Sequence, residues 1–404
     1  MQIKGNKHCH LTYCTNIHPG ESWQDHFEQL AIHLPELKKR LSPTQPFGIG
    51  LRLAARAAEE LLAGSNIQEF RKWMDKEGLY LFTINGFPYG SFHHSIVKDK
   101  VYSPDWGQPE RLSYTLNLVK ILEELLPPDV DGGISTSPIS YKYWNRNRDE
   151  ENVVIEAACR HLAEAAYQMH RVQAETGREI HLDIEPEPDC LIENSEETVQ
   201  FFKKNLWTSG RDYLVNEKGI ETDESEDILK NHIRVCYDTC HFAVEFEEPS
   251  KAIQKITDAG IRIGRAQLSA ALKVEFEADA DARKTIRRKL EKFVESTYLH
   301  QVVEKQKDGT LVQYRDLDQA LPHIDNENAA EWRIHFHVPI FTGQMGELDS
   351  TQDHLKKAFN PLFEHTDCKH FEIETYTWEV LPDHLKVDIT DSIEREFRWV
   401  LEQL

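Results

Sequence analysis

Apolar runs of strand length alternate with amphipathic stretches of helical period along this whole chain. Strand patterns fall at His8–Thr15, Phe47–Leu53, Tyr80–Ile84, Gly133–Ser137, Glu179–Ile184, Ile233–Asp238, Ile261–Leu268, Arg333–Ile340 and His370–Tyr376. Helical patterns fall between them, at Ser22–Leu41, Arg111–Leu126, Glu150–Thr176, Glu196–Leu206, Pro249–Ala259, Asp279–Glu295, Thr351–Glu364 and Ser392–Leu404. Ser22 and Ser392 stand where N-caps are needed, because a short hydroxyl accepts from the orphan amides of a first helical turn. Regular strand–helix alternation predicts parallel strands joined by helical crossovers.

This pattern is that of an α/β (β/α)8 TIM barrel, with one strand more than the eight that closure needs. The excess is placed between Ala270 and Trp332, where a long charged helix precedes two short runs, Leu299–Glu304 and Thr310–Tyr314. They flank the turn Lys307-Asp308-Gly309, a good hairpin signal. The expectation is one domain over 1–404 with a helix-plus-hairpin insertion, 270–332, after the seventh strand and over the barrel mouth. The acidic stretch Glu217–Asp227 reads as a solvated loop.

Composition narrows the function classes. The 404 residues are 40% hydrophobic and 29% charged, enough for a sizeable core. Lysine and arginine number 47 against 69 aspartates and glutamates, a net charge of −22. That balance repels phosphate backbones and anionic membranes, so no nucleic-acid partner is expected. No apolar stretch has the length of a signal peptide or a membrane span, so no membrane insertion is expected. The scattered, odd-numbered cysteines read as reduced thiols of a cytoplasmic protein. Cys236 and Cys240 lack zinc-knuckle spacing and read as packing residues.

Chemistry-bearing residues gather at the C-terminal ends of strand patterns, where barrel active sites form. In His181-Leu182-Asp183-Ile184-Glu185-Pro186, alternation sets His181, Asp183 and Glu185 on one face, and Pro186 stops the strand with Glu185 at the rim. Buried carboxylates need a partner or a cation. Asp238 ends the next strand pattern, with His241 following on a loop. Glu374 lies near the end of the last, and Arg265 and Gln267 share a face of the seventh. Oxygen ligands joined by an amide or an imidazole suit one divalent ion among Mn, Mg, Co and Zn.

The segments LDIEP, YDTCH, AQLS and IETY resemble the fifth to eighth strand ends of the xylose isomerase-like barrel superfamily, which includes sugar epimerases and isomerases and the endonuclease IV group. The resemblance implies a metal held by Glu185, Asp238, Gln267 and Glu374. It also implies a substrate-facing role for His241, with Glu185, Glu374 and His241 as the catalytic set. At finer grain, NGFPYGSFH, VYSPDW, RAQLSAAL, HFHVPIF and ETYTWEVLP resemble the EboE metabolite-traffic family, whose implied role is transport or processing of a metabolite precursor. His335 and His337 are open to three readings: metal ligand in place of Gln267, substrate contact, or polar strand face. Asn85 and His93, on a Gly/Pro loop, are pocket or turn residues. Trp378 is a pocket wall or a core aromatic.

Three functions follow. The first is a metal-dependent isomerase or epimerase of a polyhydroxylated carbonyl metabolite. The second is an EboE-like metabolite-binding protein with little turnover. The third is an endonuclease IV-like phosphodiesterase, to which His8, His10 and His18 would contribute.

Overall fold

Strand-forming runs that alternate interior and exterior side chains give the structure its barrel. In the computed structural model, residues 1–3, 9–90, 97–277, 279–295, 297–346, 348–377 and 387–404 are described. The first strands are β1 (His10–Tyr13), β2 (Phe47–Arg52), β3 (Leu79–Asn85), β4 (Gly132–Thr136), β5 (Ile180–Ile184), β6 (Ile233–Asp238) and β7 (Ile263–Leu268). Six short strands follow: β8 (Leu272–Glu275), β9 (Val302–Gln306), β10 (Leu311–Tyr314), β11 (Ala329–Ile334), β12 (Gln344–Met345) and β13 (Leu348–Ser350). The last is β14 (His370–Ile373).

Eight strands pair in the order β1-β14-β7-β6-β5-β4-β3-β2, and every pair is parallel. A parallel bridge between Cys14, just past β1, and Gly50 of β2 joins the two ends of that order. The expected (β/α)8 TIM barrel is therefore present. Along β5, Leu182 and Ile184 join the apolar layer under the helices. Inside the barrel Arg265 and Glu372, both fully buried, pair at 3.1 Å. Arg265 also donates to Thr83 Oγ1 and to the carbonyls of Ile84 and Gly133. Gly50 makes room for this pair, since a Cβ there would stand 2.0 Å from Glu372 Oε1.

The segment after β7 is larger than a helix and a hairpin. The helix (Ala280–Leu290) and the β9–β10 hairpin are present, with Gly309 at φ +91° in the turn. The hairpin belongs to a six-stranded antiparallel sheet, ordered β10-β9-β11-β8-β13-β12 and drawn from the segment Leu272 to Ser350, within which the helix is inserted. Strands of two to four residues, such as β8, β12 and β13, carry too little alternation to be read from sequence. The run expected as strand Arg333–Ile340 divides. Its start ends β11, in this second sheet, and His335 to Ile340 continue without strand pairing.

Three local expectations are corrected. The last helix spans Ile389–Gln403 and is capped by Asp388, which accepts from Thr390 N, so Ser392 lies within its first turn. Glu217–Asp227 is mostly helical, ending the helix Arg211–Lys218 and opening Thr222–His232. Ile228 and Leu229 of the second helix are buried, and that apolar stripe outweighs the local acidity. His241 belongs to a short helix, Thr239–Val244, rather than to a loop. Ser22 caps Trp23–Leu41 as expected, accepting from Asp25 N.

Candidate metal centre

Three carboxylates distant in sequence meet at the C-terminal ends of the barrel strands. Glu185 follows β5, Asp238 ends β6 and Glu374 follows β14, and one oxygen of each lies within 4.8 Å of the others. Asp238 is also the N-cap of Thr239–Val244. Its Oδ1 accepts from Cys240 N (2.7 Å), His241 N (3.1 Å) and Ser269 Oγ (2.6 Å). That saturates one oxygen and fixes the direction of the other. Glu374 Oε1 accepts from Asn16 Nδ2 (2.7 Å) and Asn85 Nδ2 (3.2 Å), and its Oε2 accepts from Gln267 Nε2 (3.1 Å).

The remaining oxygens tell the same story. Glu185 Oε2, Asp238 Oδ2 and Gln267 Oε1 are buried without a hydrogen-bond partner. Unpartnered buried acceptors are uncommon and costly. Here they belong to three of the four residues matched to the metal ligands, and the fourth, Glu374, shares their space. Burial, then the mutual repulsion of the carboxylates, pushes Glu185 and Glu374 well above the usual carboxylate range. A divalent cation relieves both penalties, so the residues fit one.

A histidine group adjoins this set. His335 and His337, carried past the end of β11, meet His241 over the barrel. The Nε2 atoms of His241 and His335 are 3.2 Å apart, as are those of His335 and His337. Each Nδ1 faces an oxygen acceptor: Pro186 O for His241 (2.9 Å), Gln301 Oε1 for His335 (2.8 Å) and Glu374 O for His337 (3.1 Å). The Gln301 amide is oriented by donation from its Nε2 to Pro188 O. Each Nδ1 therefore carries the proton, and in the neutral rings the Nε2 lone pair of His335 faces those of His241 and His337. Burial, the leading cause, lowers all three pKa values and keeps the rings neutral. Lone pairs so placed repel unless a proton or a cation lies between them. Ligand atoms 2.0–2.1 Å from a tetrahedral zinc are about 3.3–3.4 Å apart, close to this spacing. Asp238 Oδ2, 3.8 Å from His241 Nε2, lies between the two sets.

Above both sets is a cavity of about 70 Å³. Its floor includes Glu185, Glu374 and the three histidines, and its walls include Phe87, Tyr102, Tyr298 and Tyr376. Asn85 lines it as well. His93 and Trp378 lie outside the described residues, as does His8. His18 hydrogen-bonds Tyr13 and stacks on His33, and His10 bonds Tyr80, all away from the cavity lining.

Sequence reasoning missed several members. Glu187 lines the cavity, accepts from Tyr102 OH (2.8 Å) and is pushed up to about 8, mainly by burial. The odd-numbered series His181, Asp183, Glu185 continues to Glu187, a signal masked by Pro186. Asn16 directly follows the strand pattern His8–Thr15, a strand-end position that was passed over, whereas Gln301 lies near the start of the run Leu299–Glu304 and carried no such signal.

No protein-family model and no curated protein matches the chain by sequence. Among solved structures, the chain is similar to a xylose isomerase-like TIM barrel protein from Mycobacterium smegmatis in complex with magnesium. They share 11% identity over 97% of this chain and 98% of that one, with a TM-score of 0.48. It is similar to the IOLI protein with a bound zinc atom, at 13% identity over 98% and 97% of the two chains and a TM-score of 0.46. It is also similar to the 3-keto-D-glucoside 4-epimerase YcjR of E. coli, at 13% identity over 64% and 78% and a TM-score of 0.36. None of these comparisons supports the narrower EboE resemblance. The chain is a (β/α)8 barrel, and the solved structures similar to it include a xylose isomerase-like TIM barrel protein.

Proposed function

We propose that the protein is a divalent-metal-dependent isomerase or epimerase of a small polyhydroxylated carbonyl compound. The observation that carries this reading is the convergence of Glu185, Asp238 and Glu374, with unpartnered oxygens on Glu185, Asp238 and Gln267, beneath a cavity that Glu185 and Glu374 help to line. A cation held by these four residues supplies Lewis-acid polarisation of a carbonyl and its neighbouring hydroxyl. Glu185 is the freer carboxyl, and whichever of its oxygens the cation leaves free would take and return the carbon-bound proton. Glu374, fixed by Asn16, Asn85 and Gln267, serves the opposite face as the more strongly oriented carboxylate. His241, whose Nδ1 proton is held by Pro186 O, offers an accepting Nε2 to a substrate hydroxyl, and the aromatic walls exclude water.

The test is exchange of the α-proton with deuterated solvent over a panel of ketoses, aldoses and hydroxy acids. Wild-type protein loaded with Mn²⁺ is expected to exchange at least one of them, and Glu185→Gln none. Exchange unaltered by Glu185→Gln, or none with any member of the panel, refutes the proposal.

The three facing imidazoles favour a second reading, metal-assisted hydrolysis of a small phosphate ester by a centre of more than one ion. The net charge of −22 speaks against a nucleic acid as that substrate. Phosphodiester turnover with Zn²⁺, abolished by His335→Gln, would select this reading. Proton exchange without hydrolysis would select the first.

A further inference from the structure

The opposite, N-terminal end of the barrel holds a second cluster that the mouth does not use. Asp131 stands one residue before β4, His181 lies in β5, and His370 opens β14. His181 Nε2 is 3.9 Å from Asp131 Oδ2, and His370 Nε2 is 3.5 Å from Asp131 Oδ1. One ligand atom from each residue falls within 4.8 Å of the other two. Both histidines are fully buried, yet His181 Nε2 and His370 Nδ1 have no hydrogen-bond partner, and His370 Nε2 has only its long contact with Asp131. His181 Nδ1 is bonded at 2.7 Å to Asp183 Oδ1, which orients the ring with Nε2 toward Asp131.

The barrel makes space for these groups. A Cβ on Gly133 of β4 would stand 2.7 Å from His370 Nδ1 and 2.9 Å from His181 Cε1. A Cβ on Gly264 of β7 would stand 2.0 Å from Asp183 Oδ1 and 2.7 Å from His181 Nδ1. Two strands thus forgo side chains so that two imidazoles and two carboxylates fit into one interior layer. The cations facing Asp131 are Lys369, 3.5 Å from Oδ2, and Arg234, 3.9 Å from it. Neither reaches the orphaned imidazole nitrogens.

We propose that Asp131, His181 and His370 form a divalent-metal site of the zinc class at the floor of the barrel, with Asp183 as the positioning residue behind His181. Two imidazoles and one carboxylate are a borderline donor set, which suits Zn²⁺ or Co²⁺ better than Mg²⁺ or Ca²⁺. The hydrogen bond from a ligating histidine to a carboxylate is the usual outer-shell arrangement of such sites. The Asp131 side chain is 9% exposed, which leaves an approach for the ion and for a solvent ligand. Its structural effect is a cross-link between the starts of β4, β5 and β14. The site is independent of the reading offered for the mouth.

Cobalt is the probe, added to chelator-stripped full-length protein whose mouth is disabled by Asp238→Asn with His335→Gln. That protein is expected to bind one Co²⁺ per chain, by elemental analysis, with the intense visible absorption of a four-coordinate ion. Adding Asp131→Asn should abolish both signals while circular dichroism stays native. Adding Asp183→Asn instead should weaken Co²⁺ binding about 10- to 100-fold. The second substitution keeps the test open if the first fails to fold. Absence of cobalt from the mouth-disabled protein overturns the proposal. So does full cobalt retention by Asp131→Asn with only a loss of thermal stability, which would leave Asp131 as an anchor for Lys369 and Arg234. Either failure leaves the mouth reading untouched, because that reading is tested with the floor intact.

Discussion

Loading the mouth with a cation should expel protons, and the number follows from its geometry. One oxygen from each of Glu185, Asp238 and Glu374 lies within 4.8 Å of the others. At an effective dielectric of about 20, two unit charges at that separation repel by about 3.5 kcal/mol. The third carboxylate to ionise meets two such neighbours, about 7 kcal/mol, before any cost of burial. At pH 7 the metal-free centre therefore keeps at least one proton, shared between Glu185 and Glu374, whose pKa values are both raised. A bound divalent ion reverses the sign of that field, so binding releases one to two protons. The assay is calorimetric titration with Mn²⁺ at pH 7 in three buffers of different ionisation enthalpy. The slope of apparent enthalpy against buffer enthalpy counts the protons. Mn²⁺ prefers the oxygen donors of the mouth, and the floor histidines, lowered by burial, have no proton to release. Glu185→Gln is expected to cut the count by about one. Stoichiometric binding with a slope of zero would refute the idea that these carboxylates share one ion.

Other consequences are open to simpler measurements. Arg265→Met strands Glu372 as an uncompensated buried charge and should cost about 3–5 kcal/mol in denaturant unfolding, and a loss below 1 kcal/mol would contradict the buried pair. Gly264→Ala forces a methyl group against Asp183 and His181 and should destabilise by about 1–3 kcal/mol or more, read as a lowered Tm; no change would mean that the interior layer is looser than described. Burial raises Glu396 to about 8, against an ordinary value of 4.5, while Thr375 Oγ1 and Ile340 N donate to its Oε1. Between those two values the native state holds a proton that the unfolded chain has lost, so this group's contribution falls as pH rises, by up to about 1.4 kcal/mol per unit. Glu396→Gln keeps the accepting oxygen and removes the titration. Its stability relative to wild type should therefore increase between pH 5 and pH 8, and a constant difference would exclude that assignment.

The barrel and the carboxylate set were legible because both rest on period-two alternation, which the rim residues Glu185, Asp238 and Glu374 obey up to the strand ends. Gln267 was singled out as a ligand only by the resemblance of AQLS to the superfamily's seventh strand end. What stayed hidden depends on elements without a period. His335 and His337 reach the mouth from a segment past β11 that makes no strand pairs, so their convergence with His241 is a tertiary fact. Asn16 acts on Glu374 across 358 positions, and Gln301 acts on His335 from a stretch just before β9. The role of Asp238 as a helix cap was missed because the six-residue helix it caps is too short to show a helical period. The floor cluster was half visible: His181 and Asp183 were placed on the interior face, but Asp131 precedes its strand and carried no pattern.

The pairing of β1 with β14 has a consequence for biosynthesis. His10 lies beside His370, so the sheet's final seam joins residues 360 positions apart. Glu374 arrives with that last strand, so neither seam nor centre can form until β14 has been synthesised. Until then the earlier strands expose unsatisfied edges, which are templates for aggregation. Shortening the C-terminal side should therefore yield an aggregating polypeptide rather than a weaker version of the same protein.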